Sequence, residues 1–321
     1  MSTKETHDSA NITCQPHNGV TWIDTKNPST ADLAILEKKY KLHPLHLHES
    51  LQKVQHLQVE REDNYLFLLL HMPFYNMQAD KICVNQVGVF LGKDFVVTIR
   101  SGDSHAITDL FRQCQTVGSD QADDYFRDPG FLVYTLVSRI LSDISNMTDK
   151  VVEELDDIED QVFDNTRSDA QRIGKVRQKI VRLSRIVGPK RLILEDLAQQ
   201  INAFTGKNMA KYYSNNTKMV NKLWEVLEEA KETVEIYKDA DFTTSTEKTN
   251  RILAILTLIF TFTIPVTVLG TMYGMNVLLP GGIETGSWTF LGKYTTLTIV
   301  IAFSVALAIA MYLYFRKKKW F

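Results

Sequence analysis

The chain has 321 residues, of which 44% are hydrophobic and 23% charged, and its formal net charge is -2. That length accommodates a large water-facing part together with membrane spans. The near-neutral balance supplies no basic excess for a phosphate backbone, which argues against nucleic acid as a partner. The first residues, MSTKETHDSANITC, are polar and contain no apolar core, so no signal peptide is expected. Cys14, Cys83 and Cys114 are odd in number and far from any C-x-x-C spacing, and read as reduced cytosolic thiols.

From Asn11 to about Arg100 the pattern is mixed α and β. Gly19 to Asp24 predicts a strand. Asn27-Pro28-Ser29-Thr30 caps a helix through Lys41, since Ser and Thr accept from free N–H groups at a helix start. His43 to Leu51 predicts a short second helix. Tyr65 to Met72, Val87 to Leu91 and Phe95 to Arg100 are β-rich, and Gly92-Lys93-Asp94 between the last two has hairpin chemistry. The expected result is an α+β domain, a small sheet with helices on its faces. No phosphate loop, H-E-x-x-H or G-x-S-x-G pattern occurs, so neither an enzyme nor an organic substrate is expected.

From Asp128 onward the pattern is helical, with Pro129 as a helix start. The run Glu153-Glu154-Leu155-Asp156-Asp157-Ile158-Glu159-Asp160 has two readings. It is a solvated helix face, or an acidic surface that attracts divalent cations or faces a basic partner. The next helix carries Lys175, Arg177, Lys179, Arg182, Arg185, Lys190 and Arg191. Asn208 to Met272 lacks proline until Pro265 and glycine until Gly270. As one helix, those residues span on the order of 100 Å. Val220, Leu223, Leu227, Ala230, Val234 and Tyr237 recur at alternating three and four, a seam that asks for partner helices. A free monomer would expose it, so the seam predicts a homo-oligomer.

No charge occurs between Arg251 and Glu284, and a second uncharged run covers Tyr294 to Phe315. Each is long enough for a bilayer core, which takes about 20 apolar residues. In lipid such segments must be helical, because no water satisfies a bare backbone. One face of the first carries Asn250, Leu253, Thr257, Phe260, Ile264, Thr267 and Thr271. A mixed apolar and hydroxyl stripe suits the wall of a narrow pore, with Leu253, Phe260 and Ile264 as an apolar constriction. Alternatively, the threonines bond back to their own helix and pack against neighbours, and Phe260 faces lipid. Lys248, Arg251 and the tail Arg316-Lys317-Lys318-Lys319-Trp320-Phe321 flank the spans on one side. The positive-inside tendency puts both termini in the cytoplasm of a multi-pass inner-membrane protein.

Tyr273-Gly274-Met275-Asn276 at the outer end of the first span resembles the GMN signature of the CorA family of divalent-cation channels. Two spans near the C terminus, a proline about ten residues before the motif and the basic end extend the likeness. Thr21-Trp22-Ile23-Asp24, His43-Pro44-Leu45 and Lys248-Thr249-Asn250 also look like family positions. The resemblance implies a funnel-shaped homopentamer in the lipid bilayer that passes Mg²⁺, and also Co²⁺ or Ni²⁺. The expected organisation is a cytosolic α/β domain over 1–127, a helical hairpin over 128–207 and a stalk over 208–251. The pore-lining span covers 252–272, the outer loop 273–293, the second span 294–315 and the basic tail 316–321.

In that family a cytosolic metal bridges an acid on the second short helix of one subunit and an acid near the stalk base of the next. By this match Glu49 and Asp239 are the regulatory metal ligands, with Asp241 close by. His46 and His48 stand where the family usually has no histidine, and imidazole prefers Zn²⁺, Co²⁺ or Ni²⁺ to Mg²⁺. Only Glu284 follows the motif as an acid in Val277 to Glu284, where many family members carry several. These departures leave a proton-coupled Zn²⁺ transporter of the ZntB type as the alternative.

Overall fold

The computed structural model describes residues 12–52, 57–115, 124–163, 170–275, 286, 290 and 294–317. The chain divides into two compact units, Met1–Asp241 and Phe242–Phe321.

In the first unit, a six-stranded sheet runs β1-β2-β6-β5-β4-β3. Its strands are β1 (Ile12–His17), β2 (Val20–Lys26), β3 (Gln58–Arg61), β4 (Leu66–Asn76), β5 (Lys81–Leu91) and β6 (Phe95–Arg100). β2 and β6 pair in parallel, and the other neighbours are antiparallel. The Gly92-Lys93-Asp94 hairpin joins β5 to β6 as its chemistry predicts, with Gly92 N–H donating to the Phe95 carbonyl at 2.8 Å. β1 and β3 have no counterpart in the sequence expectations.

Two helices lie in the connection from β2 to β3. α1 (Thr30–Tyr40) starts at Ser29, whose hydroxyl accepts from Asp32 N–H while the Asp32 carboxylate accepts from Ser29 N–H, a reciprocal capping box. It ends at Lys41 in the left-handed region, φ 52°. α2 (Pro44–Glu49) begins with proline, whose missing N–H costs nothing at a helix start. α3 (His105–Gln115) follows β6.

The strands alternate with period two, so the sheet separates two cores. Ile23, Phe67, Leu69, Phe90, Val97 and Ile99 face Leu36, Leu42 and Leu47 of the α1–α2 region. Trp22, Leu66, Leu68, Leu70, Val87, Val89 and Val96 join a larger core with α3 and three long helices. These are α4 (Pro129–Phe163), α5 (Ala170–Thr205) and the first part of α6 (Ala210–Gly274). Gly88 permits the close approach of α2, because a Cβ there would lie 1.9 Å from Ser50 Oγ.

The α6 seam corrects the argument for one expectation, the homo-oligomer, and not the expectation itself. Val220, Leu223, Leu227, Ala230, Val234 and Tyr237 are all buried inside this chain, in the core shared with α4 and α5. A helix seam needs partner helices, and here the same chain supplies them. The periodicity therefore reports a bundle within the protomer and carries no argument for a homo-oligomer.

The second unit holds the C-terminal part of α6 and α7 (Thr295–Lys317). Both contain stretches long and apolar enough to cross a membrane. Helix α6 continues through Pro265 without a break.

Candidate pore and metal-sensing site

Every residue of the expected pore stripe is solvent-exposed in the single chain: Asn250, Leu253, Thr257, Phe260, Ile264, Thr267 and Thr271. An uncharged helix with its apolar side chains uncovered needs lipid or other helices around it. Thr267 Oγ1 donates to the Thr263 carbonyl at 2.9 Å, and Thr263 and Thr271 donate to the carbonyls of Ile259 and Thr267. Each hydroxyl proton is thus spent on the preceding turn. The hydroxyl oxygen keeps lone pairs as an acceptor. Back-bonding and an acceptor role toward a pore are therefore compatible.

Helix α6 ends at Gly274, and Met275 N–H donates to the Met272 carbonyl at 3.3 Å, a tightening of the last turn. Met275 is exposed. The Tyr273 side chain and all of Asn276 lie outside the described residues.

The α2 region is fixed by polar contacts. His43 N–H donates to the Tyr65 hydroxyl oxygen at 3.0 Å, which leaves that hydroxyl proton for His46 Nδ1 at 2.8 Å. His46 Nε2 then carries the ring proton and donates to Glu60 at 3.0 Å. The imidazole also stacks on Phe67 with ring centroids 4.4 Å apart. Burial, above all, pushes the Tyr65 phenol pKa up. His46 is thus a buried strut between α2, β3 and β4, with both nitrogens engaged and none presented to a metal. His48 is exposed and accepts from Gln52 Nε2 on its Nδ1 at 2.6 Å. The two histidines point to different surroundings, as i, i+2 spacing on a helix requires.

Glu49 is half-buried and accepts from Gln58 Nε2 at 2.7 Å. Gln86 Nε2 donates to the Glu49 carbonyl at 2.6 Å. On α6, Asp239 is exposed beside Lys238, 3.8 Å away, whereas Asp241 is buried. Lys238 first, then Arg177, holds the Glu235 carboxyl below the usual range. Among the described residues, no group of three or more His, Cys, Asp or Glu side chains is placed to hold a metal ion. The single chain does not gather Glu49, Asp239, Asp241, His46 and His48 into one cluster.

Three acids of the run on α4 are engaged within the chain. Glu154 binds Lys179 at 2.8 Å, Asp157 binds Arg172 at 3.2 Å, and Glu159 accepts from the Tyr237 hydroxyl at 2.6 Å. Asp80 joins the same network through Tyr75, Lys175 and Lys179. Sequence reasoning did not single out Asp80, Tyr65 or Glu60. Their contacts to His46, Lys175 and Lys179 reach 14 or more residues along the chain, so no local spacing marks them.

The chain thus combines a sheet with helices on both faces, a helix that runs on into an uncharged stretch, and a second apolar helix, the last two long and apolar enough to cross a membrane. The family model for the CorA-like Mg²⁺ transporter protein matches residues 17–317, and the chain belongs to that family. It is 24% identical over 305 residues to the cobalt/magnesium transport protein CorA of Thermotoga maritima, covering 94% of this chain and 83% of that one. The complete structure of the CorA magnesium transporter from Methanocaldococcus jannaschii superposes with TM-score 0.76 at 21% identity, covering 94% of this chain and 92% of the other. The full-length CmaX protein does so with TM-score 0.77 at 17% identity, covering 97% and 100%. At these identities the structural likeness establishes the fold.

Proposed function

We propose that copies of this chain, five by likeness to the family, assemble around an axis in the cytoplasmic membrane as a Mg²⁺ channel that also passes Co²⁺ or Ni²⁺. The observation that carries this reading is α6, one unbroken helix from a packed bundle into an uncharged, uncovered span. Mg²⁺ gives up its water reluctantly and demands octahedral oxygen coordination. A pore that stripped the ion would need carboxylates, and none occurs between Arg251 and Glu284. Neutral acceptors suit a hydrated ion instead. Asn276 and the carbonyls near Gly274 would receive it, and the lone pairs of Thr271 and Thr267 would accept from its water. Leu253, Phe260 and Ile264 would form rings that gate by dewetting. The membrane potential supplies the drive, about 2.3 kcal/mol per charge per 100 mV.

In this reading a regulatory Mg²⁺ lies between Glu49 of one copy and Asp239 of the next, with Asp241 nearby. Losing the metal leaves like charges facing and shifts the population toward the open form. Glu49→Ala and Asp239→Ala would then reduce the protection that Mg²⁺ gives the purified protein against proteolysis. The Zn²⁺ alternative draws its support from the histidines of α2 and from the acid-poor run Val277 to Glu284, and the engagement of both His46 nitrogens weakens the first of these. Flux into liposomes separates the two. The channel reading expects Mg²⁺ entry that follows membrane potential without a pH gradient. Zn²⁺ entry that requires the gradient would replace it.

A further inference from the structure

Between β4, β5 and α5 lies a groove of about 620 Å³, lined by His71, Val84, Arg177, Gln178, Val181, Arg182, Arg185 and Ile186. Its lining contains no carboxylate. Gln178, Val181, Arg182 and Arg185 share one face of α5 by their spacing. The other cations on this stretch of α5 are neutralised within the chain. Arg172 pairs with Asp157, Lys175 with Asp80, Arg177 with Glu235, and Lys179 with Glu154 and Asp80. Among the described residues, Arg182 and Arg185 have neither an ion pair nor a hydrogen-bond or ring partner.

We propose that this groove binds a polyphosphate anion, as borne by a nucleoside triphosphate or inorganic triphosphate, with Arg182 and Arg185 as its ligands. A guanidinium offers a planar fork that matches phosphate oxygens in pairs. The two arginines sit about 4.5 Å apart along the helix axis, so one extended polyanion reaches both. A monovalent anion would leave one guanidinium unmatched. Gln178 and the partly neutralised Arg177 add donors, and Val84, Val181 and Ile186 form an apolar floor. The volume falls within the range of small-ligand sites, about 300–1,000 Å³. Because charge is the recognising feature, the free anion binds more tightly than its Mg²⁺ complex, which carries two fewer negative charges.

The test is calorimetric titration of the purified full-length protein in detergent with ATP and with inorganic triphosphate, without Mg²⁺ and then with it. Both anions are expected to bind. The double variant Arg182→Gln/Arg185→Gln should weaken both by at least about tenfold, the loss of charge-assisted hydrogen bonds. Its unfolding temperature should stay unchanged, because neither arginine bonds within the chain, and Arg139→Gln should leave binding intact. Equal affinity for the two anions assigns recognition to phosphate alone; tighter ATP binding adds the nucleoside on the apolar floor. No binding at millimolar concentration, equal binding by the double variant, or tighter binding of the Mg²⁺ complex would each overturn the proposal. So would a double variant that changes oligomeric mass with no anion bound by the parent, which would make the groove a contact between copies. The readout involves no flux, so a chain that conducts Mg²⁺ and ignores the anions overturns the groove alone.

Discussion

The Tyr237 hydroxyl on α6 donates to the Glu159 carboxylate on α4 at 2.6 Å. Burial first, then Glu159, raises the phenol's pKa. The contact closes the α6 seam against a helix of the same chain at the end of the packed bundle. Leu227, fully buried in that seam, should therefore act as an ordinary core residue. Leu227→Ala is expected to cost about 2–5 kcal/mol of stability. Thermal unfolding of the full-length protein in detergent reads this, with oligomeric mass unchanged. Loss of assembly at an unchanged unfolding temperature would return the seam to the interface.

Lys190 is wholly buried on α5, and among the described residues its ammonium group finds only the Ile186 carbonyl, at 3.3 Å. Burial pushes its pKa down to about 7 from an ordinary 10.5. The unfolded chain therefore holds a proton that the folded chain lacks across that interval. Stability from this residue rises as pH climbs from about 7 toward 10.5 and is lowest at and below pH 7. The full swing is on the order of 5 kcal/mol. Lys190→Met should raise the unfolding temperature at pH 7 and flatten its rise to pH 9. A variant whose profile parallels the parent's would show that the amine is charged in the fold.

His46→Ala removes a ring stacked on Phe67, the acceptor of the Tyr65 hydroxyl proton and the donor to Glu60. The expected loss is about 2–4 kcal/mol. Zn²⁺ should raise the unfolding temperature of parent and variant equally. A Zn²⁺-specific stabilisation present only in the parent would make His46 a ligand.

A methyl group at Gly88 would collide with Ser50, whose hydroxyl donates to the His46 carbonyl at 2.7 Å. Gly88→Ala should cost about 1–3 kcal/mol, and Ser50→Gly in the same chain should recover part of it. A Gly88→Ala protein as stable as the parent would place α2 farther from the sheet.

Much of this architecture was legible because local chemistry announced it. Ser29 caps α1, Gly92 to Asp94 turns the hairpin, and absence of charge marks both spans. β3 was not legible, since Gln58-Val59-Glu60-Arg61 has one apolar residue and shows no alternation. α3 did carry a signal, with Ala106, Ile107, Leu110, Phe111 and Cys114 on one buried face. The α6 seam was seen but its partner misassigned, because heptad spacing looks the same whether the covering helix belongs to this chain or another. The linkage of His46 to Tyr65 and Glu60 depends on tertiary approach across 19 and 14 residues, which no spacing rule reads.

The most direct test of the central claim is Mg²⁺ flux into liposomes under an imposed membrane potential, comparing the parent with Asn276→Ala at equal assembled mass. The parent should admit Mg²⁺ in proportion to the potential, and Asn276→Ala should abolish that entry. Undiminished entry through Asn276→Ala, or no entry through the parent, would contradict a pore whose mouth is built from neutral oxygens.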